Sequence, residues 1–286
     1  QLAIAAPGKG NDAALALQGA DGVGLHPAFS GFRELFDDGL GCIVQGIGYP
    51  NPNRSHFSSM DIWQTADTSG RDNGWLGRYF DNTCSGAPNA AAGIALGNAA
   101  PLAMQGEKSL PVSFESPDLY RWMGEDFGED VASAFKSVPG PQTPATDDNL
   151  AFLKRTSLDA QLSSTTVRKA VAVSPLATRN SGDLANQLQT VAALIRSGMS
   201  TRVYYVTLGG FDTHANQAGS HQRLLRQVGD SLLSFQNELK AQGNEGRVLT
   251  MVFSEFGRRV GENGSGGTDH GTAAPMYLVG PAVKPG

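Results

Sequence analysis

The sequence predicts an α/β fold with a mostly parallel central sheet flanked by helices. Two observations in the last hundred residues carry this prediction. Residues 202–208 are β-branched and aromatic, which predicts a β-strand, and residues 247–253 predict another, buried strand. Between them, residues 220–241 place apolar side chains at helical spacing. A strand, a helix and a strand with short connectors form a βαβ unit, whose strands run parallel with a right-handed crossover.

Other segments extend this pattern. Residues 27–38 predict a short helix with Pro27 in its first turn and Gly39 just past its end. Residues 183–197 predict another helix, closed by Gly198. The remaining predicted elements are strands over 42–47, 110–114 and 276–279 and a helix near 117–126.

The predicted organisation is a single domain over residues 1–286. A chain of this length with 40% hydrophobic residues can form one large domain or two small ones. From about residue 84 to 182 the pattern is weak and includes a Pro-rich loop at 139–146. We interpret this stretch as an irregular covering insertion rather than a separate domain.

Composition excludes some classes of protein. The net charge is −5, so the chain lacks the excess of basic residues that is typical of a nucleic-acid-binding protein. No stretch approaches the roughly 20 apolar residues of a membrane span. The chain begins at Gln1 without Met, so the absence of a visible signal peptide excludes nothing. Cys42 and Cys84 make no disulfide framework, and a bridge between them is unsupported, so the redox compartment stays open.

Polar clusters follow both strands of the predicted βαβ unit. Gly209 to His214 follow the first strand, and Ser254 to Arg259 follow the second. A Gly-rich loop, Gly264 to Gly271, leads into the next strand from the same edge. Ligands bind outside the carboxyl ends of parallel strands, so we expect these segments to form one site. The side chains that topology would gather there are Asp212, His214, Glu255, Asp269 and His270.

Three carboxylates and two imidazoles suit zinc, manganese or a similar divalent ion. Without a cation, clustered carboxylates repel and raise one another's pKa, which a metal would prevent. Each motif alone has a simpler interpretation. Asp212 could form an Asx-turn, and Glu255 could pair with Arg258 or Arg259. Their joint placement favours a functional cluster, with a metal as one candidate occupant.

Residues 54–57 follow an earlier predicted strand and could reach the same edge. Ser55 is a candidate nucleophile, activated by a metal or a nearby base, or else a serine that caps a helix beginning near Ser58. His26 precedes a proline at a helix start and is interpreted as structural. His221 is either a further ligand or a solvent-facing helical histidine.

Four motifs in this order resemble the bacterial family known as domain of unknown function 1501. They are GYPNPNRSHF at 48–57, GFDTH at 210–214, SEFGRR at 254–259 and GGTDHGTAAP at 266–275. The resemblance covers nearly the whole chain. That family is grouped with the alkaline-phosphatase-like superfamily, which includes sulfatases. The resemblance therefore implies an alkaline-phosphatase-like fold and, through the family's export signals, a periplasmic or extracellular location.

The resemblance also assigns residues to roles. It implies a metal held by Asp212 and His214 after one strand, with Glu255 in place of the usual Asp after the next. His270, followed by Pro275, matches the ligand that closes the site. Phe256 stands where the superfamily has a His ligand, which places a two-metal site in doubt. The family's usual first strand and its C-terminal continuation are also missing, so we expect the native protein to extend beyond this chain.

The leading hypothesis is an exported, metal-dependent hydrolase of small-molecule or polymer-borne phosphate or sulfate esters. Ser55 would attack, with His56 beside it, and Arg54 or Arg258 would clamp the anion. Zinc is the first expectation, with manganese and calcium open.

The rival hypothesis is a non-catalytic surface or periplasmic binding or assembly protein that retains the fold, in which the metal is absent. Phe256 favours it. A cofactor-independent serine hydrolase is disfavoured because the chain lacks a Gly-x-Ser-x-Gly elbow. Protein partners, the substrate and the oligomeric state are not predicted.

Overall fold

A computed structural model groups the chain into two compact units. It describes residues 2–10, 12–20, 22–83, 90–109, 111–118, 120, 126–137, 164–172, 183–284 and 286. Unit 1 comprises residues 1–72, 177–192 and 207–286, and unit 2 comprises residues 73–176 and 193–206. The predicted single domain with an insertion over about 84–182 stays a prediction, since much of that insertion lies outside the described residues.

The described helices are α1 (Ser30–Asp37), α2 (His56–Thr65), α3 (Trp75–Thr83), α4 (Glu129–Ser137), α5 (164–172), α6 (Asp183–Arg196) and α7 (Gln217–Ala241). The described strands are β1 (Leu15–Ala16), β2 (Gly24–Leu25), β3 (Gly41–Ile47), β4 (Gly93–Leu96), β5 (Val112–Phe114), β6 (Val203–Val206), β7 (Thr250–Val252), β8 (Arg258–Glu262), β9 (Thr268–His270) and β10 (Ala274–Val279). The predicted elements among them are confirmed, with ends shifted by a few residues. Most of the predicted helix near 117–126, the loop at 139–146 and Cys84 lie outside the described residues.

The prediction of a mostly parallel central sheet, and with it an alkaline-phosphatase-like fold, is wrong. The described strands form small separate sheets, of which β1–β2, β3–β10–β7 and β8–β9 are antiparallel and β5–β4–β6 is parallel. The strands on either side of α7 therefore belong to different sheets. Hydrophobic spacing identifies a strand but not its partner. Met251 of β7 is 41% exposed, whereas a strand inside a parallel sheet is buried on both faces.

The core of unit 1 forms where α1 contacts both α7 and the β3–β10–β7 sheet. Phe29 and Phe32 stack with their rings 5.1 Å apart, and both contact Tyr277 of β10 edge-on. The facing side of α7 buries the apolar residues that helical spacing predicts, among them Val228, Leu232, Phe235 and Leu239. Each such side chain contributes about 1.5–3 kcal/mol through burial.

Gly31 of α1 lies against the backbone of α7, and we expect its replacement by alanine to lower stability. A Cβ at position 31 would lie 2.5 Å from the Gly229 carbonyl oxygen, so the two helices would have to separate. Overpacking of this kind costs about 1–3 kcal/mol. Urea unfolding of Gly31→Ala measures the loss.

Gly219→Ala is the matched control, because a Cβ there would meet only an arginine side chain at 3.7 Å. Replacing this exposed helical glycine is expected to stabilise the protein by about 0.5–1 kcal/mol. Equal stability of the two variants would contradict the close packing of α1 on α7.

The β3–β10–β7 sheet brings distant segments to one edge. β3 and β7 both run antiparallel to β10, so they run parallel to each other with β10 between them. The carboxyl ends of β3 and β7 and the start of β10 therefore lie at the same edge, which we name the site edge. Residues 48–56, 253–257 and 271–273 are consequently neighbours there.

Unit 2 contains the parallel sheet β5–β4–β6. Its buried cluster consists of Leu76, Phe80, Ala92, Ala95, Ala103 and Met104. In the described part of the chain, no helix combines the length and apolar character needed to cross a membrane.

Candidate metal centre

Three side chains converge at the site edge with donor atoms that lie within 4.8 Å of one another. They are His56, the first residue of α2; Asp212, in the loop after β6; and His270, the last residue of β9. His270 Nε2 lies 2.8 Å from Asp212 Oδ1, and His56 Nε2 lies 3.1 Å from Asp212 Oδ2. This set of two imidazoles and one carboxylate could hold a metal ion.

His214 adds a fourth donor atom to this group. Its Nε2 lies 2.8 Å from Asp212 Oδ1 and 2.8 Å from His270 Nε2. The three histidines and Asp212 are named the His₃Asp centre below. Of the predicted ligands, the structure thus places Asp212, His214 and His270 in direct contact.

Each imidazole of the His₃Asp centre turns its other nitrogen, Nδ1, toward an oxygen. His56 Nδ1 lies 2.7 Å from Glu255 Oε1, His270 Nδ1 lies 2.8 Å from the Arg54 carbonyl, and His214 Nδ1 lies 3.7 Å from Asp269 Oδ1. A carbonyl or an ionised carboxylate can only accept, so Nδ1 of His56 and of His270 must donate. In the neutral ring, Nε2 then carries a lone pair directed at the centre, as in metal-binding histidines.

The arrangement of nitrogen atoms in the His₃Asp centre favours a proton or a cation among them. The Nε2 atoms of His214 and His270 lie 2.8 Å apart, a distance that is favourable only when a proton or a cation lies between them. His56 Nε2 is inaccessible to solvent and has no aligned hydrogen bond, despite its closeness to Asp212. Leaving such an atom unsatisfied costs about 1–3 kcal/mol. The donor set therefore fits a bound cation.

The carboxylates in and around the His₃Asp centre are held in their charged form. Burial raises the pKa of Asp212, but the adjacent His270, His56 and Arg258 side chains outweigh it and hold that pKa well below its usual range. Burial also raises the pKa of Glu255, and the hydrogen bond from His56 outweighs it. The expectation that clustered carboxylates raise one another's pKa is wrong, because imidazoles and a guanidinium separate them. The hydrogen bond to Glu255 in turn raises the pKa of His56, so the two carboxylates favour positive charge at this point, either on that imidazole or on a bound cation.

Arg258 was predicted to clamp an anion, but its guanidinium is engaged within the chain. Nη2 donates to Asp212 Oδ1 at 2.9 Å and to the Phe211 carbonyl at 2.7 Å, and Nη1 donates to the Thr268 carbonyl at 2.8 Å. These bonds tie the loop after β6 to β9. Arg258 thus positions Asp212, the residue at the middle of the His₃Asp centre.

Glu255 and Asp269, predicted as ligands, lie behind histidines instead. Glu255 Oε1 faces His56, and its Oε2 accepts a hydrogen bond from the Ser254 hydroxyl at 2.9 Å. Asp269 Oδ1 accepts from Asn263 Nδ2 at 3.2 Å and faces His214. A carboxylate hydrogen-bonded to a histidine ligand, as Glu255 is to His56, orients that ligand and raises its basicity.

Phe256 packs against two of the histidines. It is buried, with its ring centroid 4.2 Å from that of His270 and 5.0 Å from that of His56. The resemblance marked this position as a lost ligand, whereas the structure brings in an imidazole from His56 on α2. His56 was assigned to the catalytic set rather than to the metal. The sequence signal that could have identified His56 as a metal ligand is its position directly after the loop that follows β3.

Ser55 and Arg54 adjoin the His₃Asp centre through the backbone. The Arg54 carbonyl accepts from His270, and Ser55 precedes His56 at the N-cap position of α2. The exposed Ser55 hydroxyl makes no capping hydrogen bond, so the interpretation of Ser55 as a capping serine is not supported. His221 lies on α7, where it contacts His26 and Phe211, and burial lowers its pKa.

Comparison with known proteins identifies the family and no specific relative. No curated protein and no solved structure matches the chain. A protein-family model described as "Protein of unknown function (DUF1501)" matches residues 40–286, which include all of the His₃Asp centre. The chain therefore belongs to the DUF1501 family, as its four motifs predicted, and the description of that family states no activity.

Proposed function

We propose that the protein binds one divalent transition-metal ion at the His₃Asp centre and uses it to hydrolyse a phosphate or sulfate ester. The observation that carries the metal part is the convergence of three imidazole Nε2 atoms on Asp212, with oxygen acceptors behind them. Imidazole and carboxylate together suit zinc, and manganese is the next candidate. Calcium prefers an all-oxygen site and is disfavoured by three histidines.

Several features support hydrolysis of an anionic ester. The side chains of Asp212 and His214 are 48% and 43% exposed, so a ligand can reach the centre from solvent. A bound metal would act as a Lewis acid on an ester oxygen and would lower the pKa of a hydroxyl. Ser55 directly precedes His56, and its hydroxyl is the nearest candidate nucleophile along the chain. Arg54 remains the candidate anion clamp, since Arg258 is committed to Asp212.

Purified protein is expected to contain about one equivalent of zinc or manganese after exhaustive dialysis, because three protein donors converge, with His214 beside them, and such a set forms a tight site. Plasma emission spectrometry measures the metal. A panel of aryl phosphate and aryl sulfate esters, assayed with and without chelator, measures turnover. Chelation should abolish turnover, and restoring the metal should recover it. Protein that binds neither metal would contradict the proposal at its first step.

A second candidate, a metal-binding protein without catalysis, is favoured by one observation. Four protein donors can complete a tetrahedral zinc shell, as in structural sites, whereas catalytic sites keep one position open. Full metal occupancy without turnover of any ester on the panel would favour this candidate. Its location outside the cytoplasm stays a prediction from the family resemblance.

A further inference from the structure

Three side chains on one face of α2 contact a single residue, Glu255. His56, Ser59 and Trp63 lie at positions i, i+3 and i+7 of the helix and thus share a face. His56 Nδ1 lies 2.7 Å from the Glu255 carboxylate. The Ser59 hydroxyl and the Trp63 indole N–H both donate to the Glu255 backbone carbonyl, at 3.1 Å and 2.7 Å. The same residue is therefore held at its carboxylate and at its backbone.

This contact is reinforced on both sides. Ser59 is fully buried, and its Oγ lies 3.0 Å from the Tyr49 hydroxyl, which accepts a hydrogen bond from the Asn53 backbone N–H at 2.9 Å. Trp63 stacks on Phe253, two residues before Glu255, with ring centroids 5.6 Å apart. The helix that carries His56 is thereby fixed to the end of β7 and to the loop that follows β3.

We propose that Trp63, with Ser59, is a positioning residue for the metal centre. It contacts no donor atom of the centre, but it determines where the Glu255 carboxylate lies. That carboxylate fixes the tautomer and the orientation of His56, so its displacement would turn Nε2 away from Asp212. This inference rests on the proposed metal binding, and it adds residues at a distance to the metal-binding machinery.

The test is a double-mutant cycle on Zn²⁺ affinity, measured by calorimetric titration of the metal-depleted full chain. Trp63→Phe keeps the aromatic ring but removes the indole N–H, and it is expected to weaken Zn²⁺ binding about threefold to tenfold. This loss is smaller than the roughly 10–100-fold expected for removing the carboxylate itself in Glu255→Ala. In the Glu255→Ala background, Trp63→Phe should cause little further loss, because the carboxylate that it positions is gone.

Two further variants separate positioning from general stability. Ser59→Ala removes the other donor to the same carbonyl and should weaken Zn²⁺ binding in the same direction. Trp75→Phe, on α3 of unit 2, makes the same chemical change elsewhere and should leave Zn²⁺ affinity unchanged. Thermal unfolding in chelator, followed by circular dichroism, records any loss of stability of the metal-free protein.

The outcomes are distinct. Trp63→Phe and Ser59→Ala variants that bind Zn²⁺ as tightly as the unmodified protein would overturn the positioning role while leaving the metal centre intact. Additive losses in the cycle would also overturn it, since Trp63 would then act independently of Glu255. Absence of Zn²⁺ binding in the unmodified protein would instead overturn the proposed metal centre, and the positioning role with it.

Discussion

His270→Ala is expected to abolish tight metal binding and, with it, metal-dependent ester hydrolysis. The imidazole of His270 contacts both Asp212 and His214 through Nε2, so its removal takes away a donor that links two other members of the centre. Loss of an orienting carboxylate alone costs roughly 10–100-fold in metal affinity, so loss of a ligand should cost at least about 100-fold. Calorimetric titration with Zn²⁺ and metal content after dialysis measure the effect.

The matched control for His270→Ala is His221→Ala, which removes an imidazole that lies on α7 outside the His₃Asp centre. The metal content of the His221→Ala variant is expected to equal that of the unmodified protein. Metal retained by His270→Ala at the level of this control would show that the centre does not hold the ion. Turnover that survives complete metal loss would show that hydrolysis does not depend on it.

Ser55→Ala is expected to eliminate ester turnover while leaving the metal in place. The serine precedes His56 and contributes no donor atom to the centre, so its removal should not change affinity. Removing a catalytic nucleophile commonly lowers the rate by roughly 10³-fold or more. Initial rates on the best ester of the panel, together with metal content, measure both quantities on one preparation.

Ser58→Ala is the matched control for Ser55→Ala, because it removes a serine hydroxyl from the same helix one turn further along. It should hydrolyse the ester at close to the unmodified rate. If the Ser55→Ala variant also keeps that rate, Ser55 is not the nucleophile, and a water molecule activated at the centre becomes the candidate attacking group.

Hydrophobic spacing predicted the helices and strands better than their arrangement. The periodicity of α7 and the β-branched composition of β6 and β7 are local properties, and each element formed where expected. Strand pairing depends instead on contacts between residues far apart in the chain. β10 pairs with both β3 and β7 in antiparallel register, and no local sequence pattern predicts this pairing. The predicted parallel sheet therefore failed although its strands were correctly placed.

The predicted gathering of polar residues succeeded for a different reason from the one expected. Residues after β3 and β7 do meet at one edge, because both strands run antiparallel to β10. Asp212 arrives from the loop after β6, a strand of another sheet, and Arg258 bonds it in place. Glu255 thus lies at the end of a strand of this sheet, as predicted. Asp212 was predicted to follow a neighbouring strand of the same sheet, and it follows a strand of a different one.

The sequence by itself determined the helices and strands, the family and the types of side chain at the candidate site, because side-chain periodicity and motif order are local properties of the chain. Only the tertiary structure decided which of those groups face one another. In that structure His56 lies among the donor atoms, and Glu255 and Asp269 lie behind histidines. Arg258 forms an ion pair with Asp212. These roles depend on distances of a few ångströms between segments up to 216 residues apart, such as Arg54 and His270. No local pattern encodes such distances.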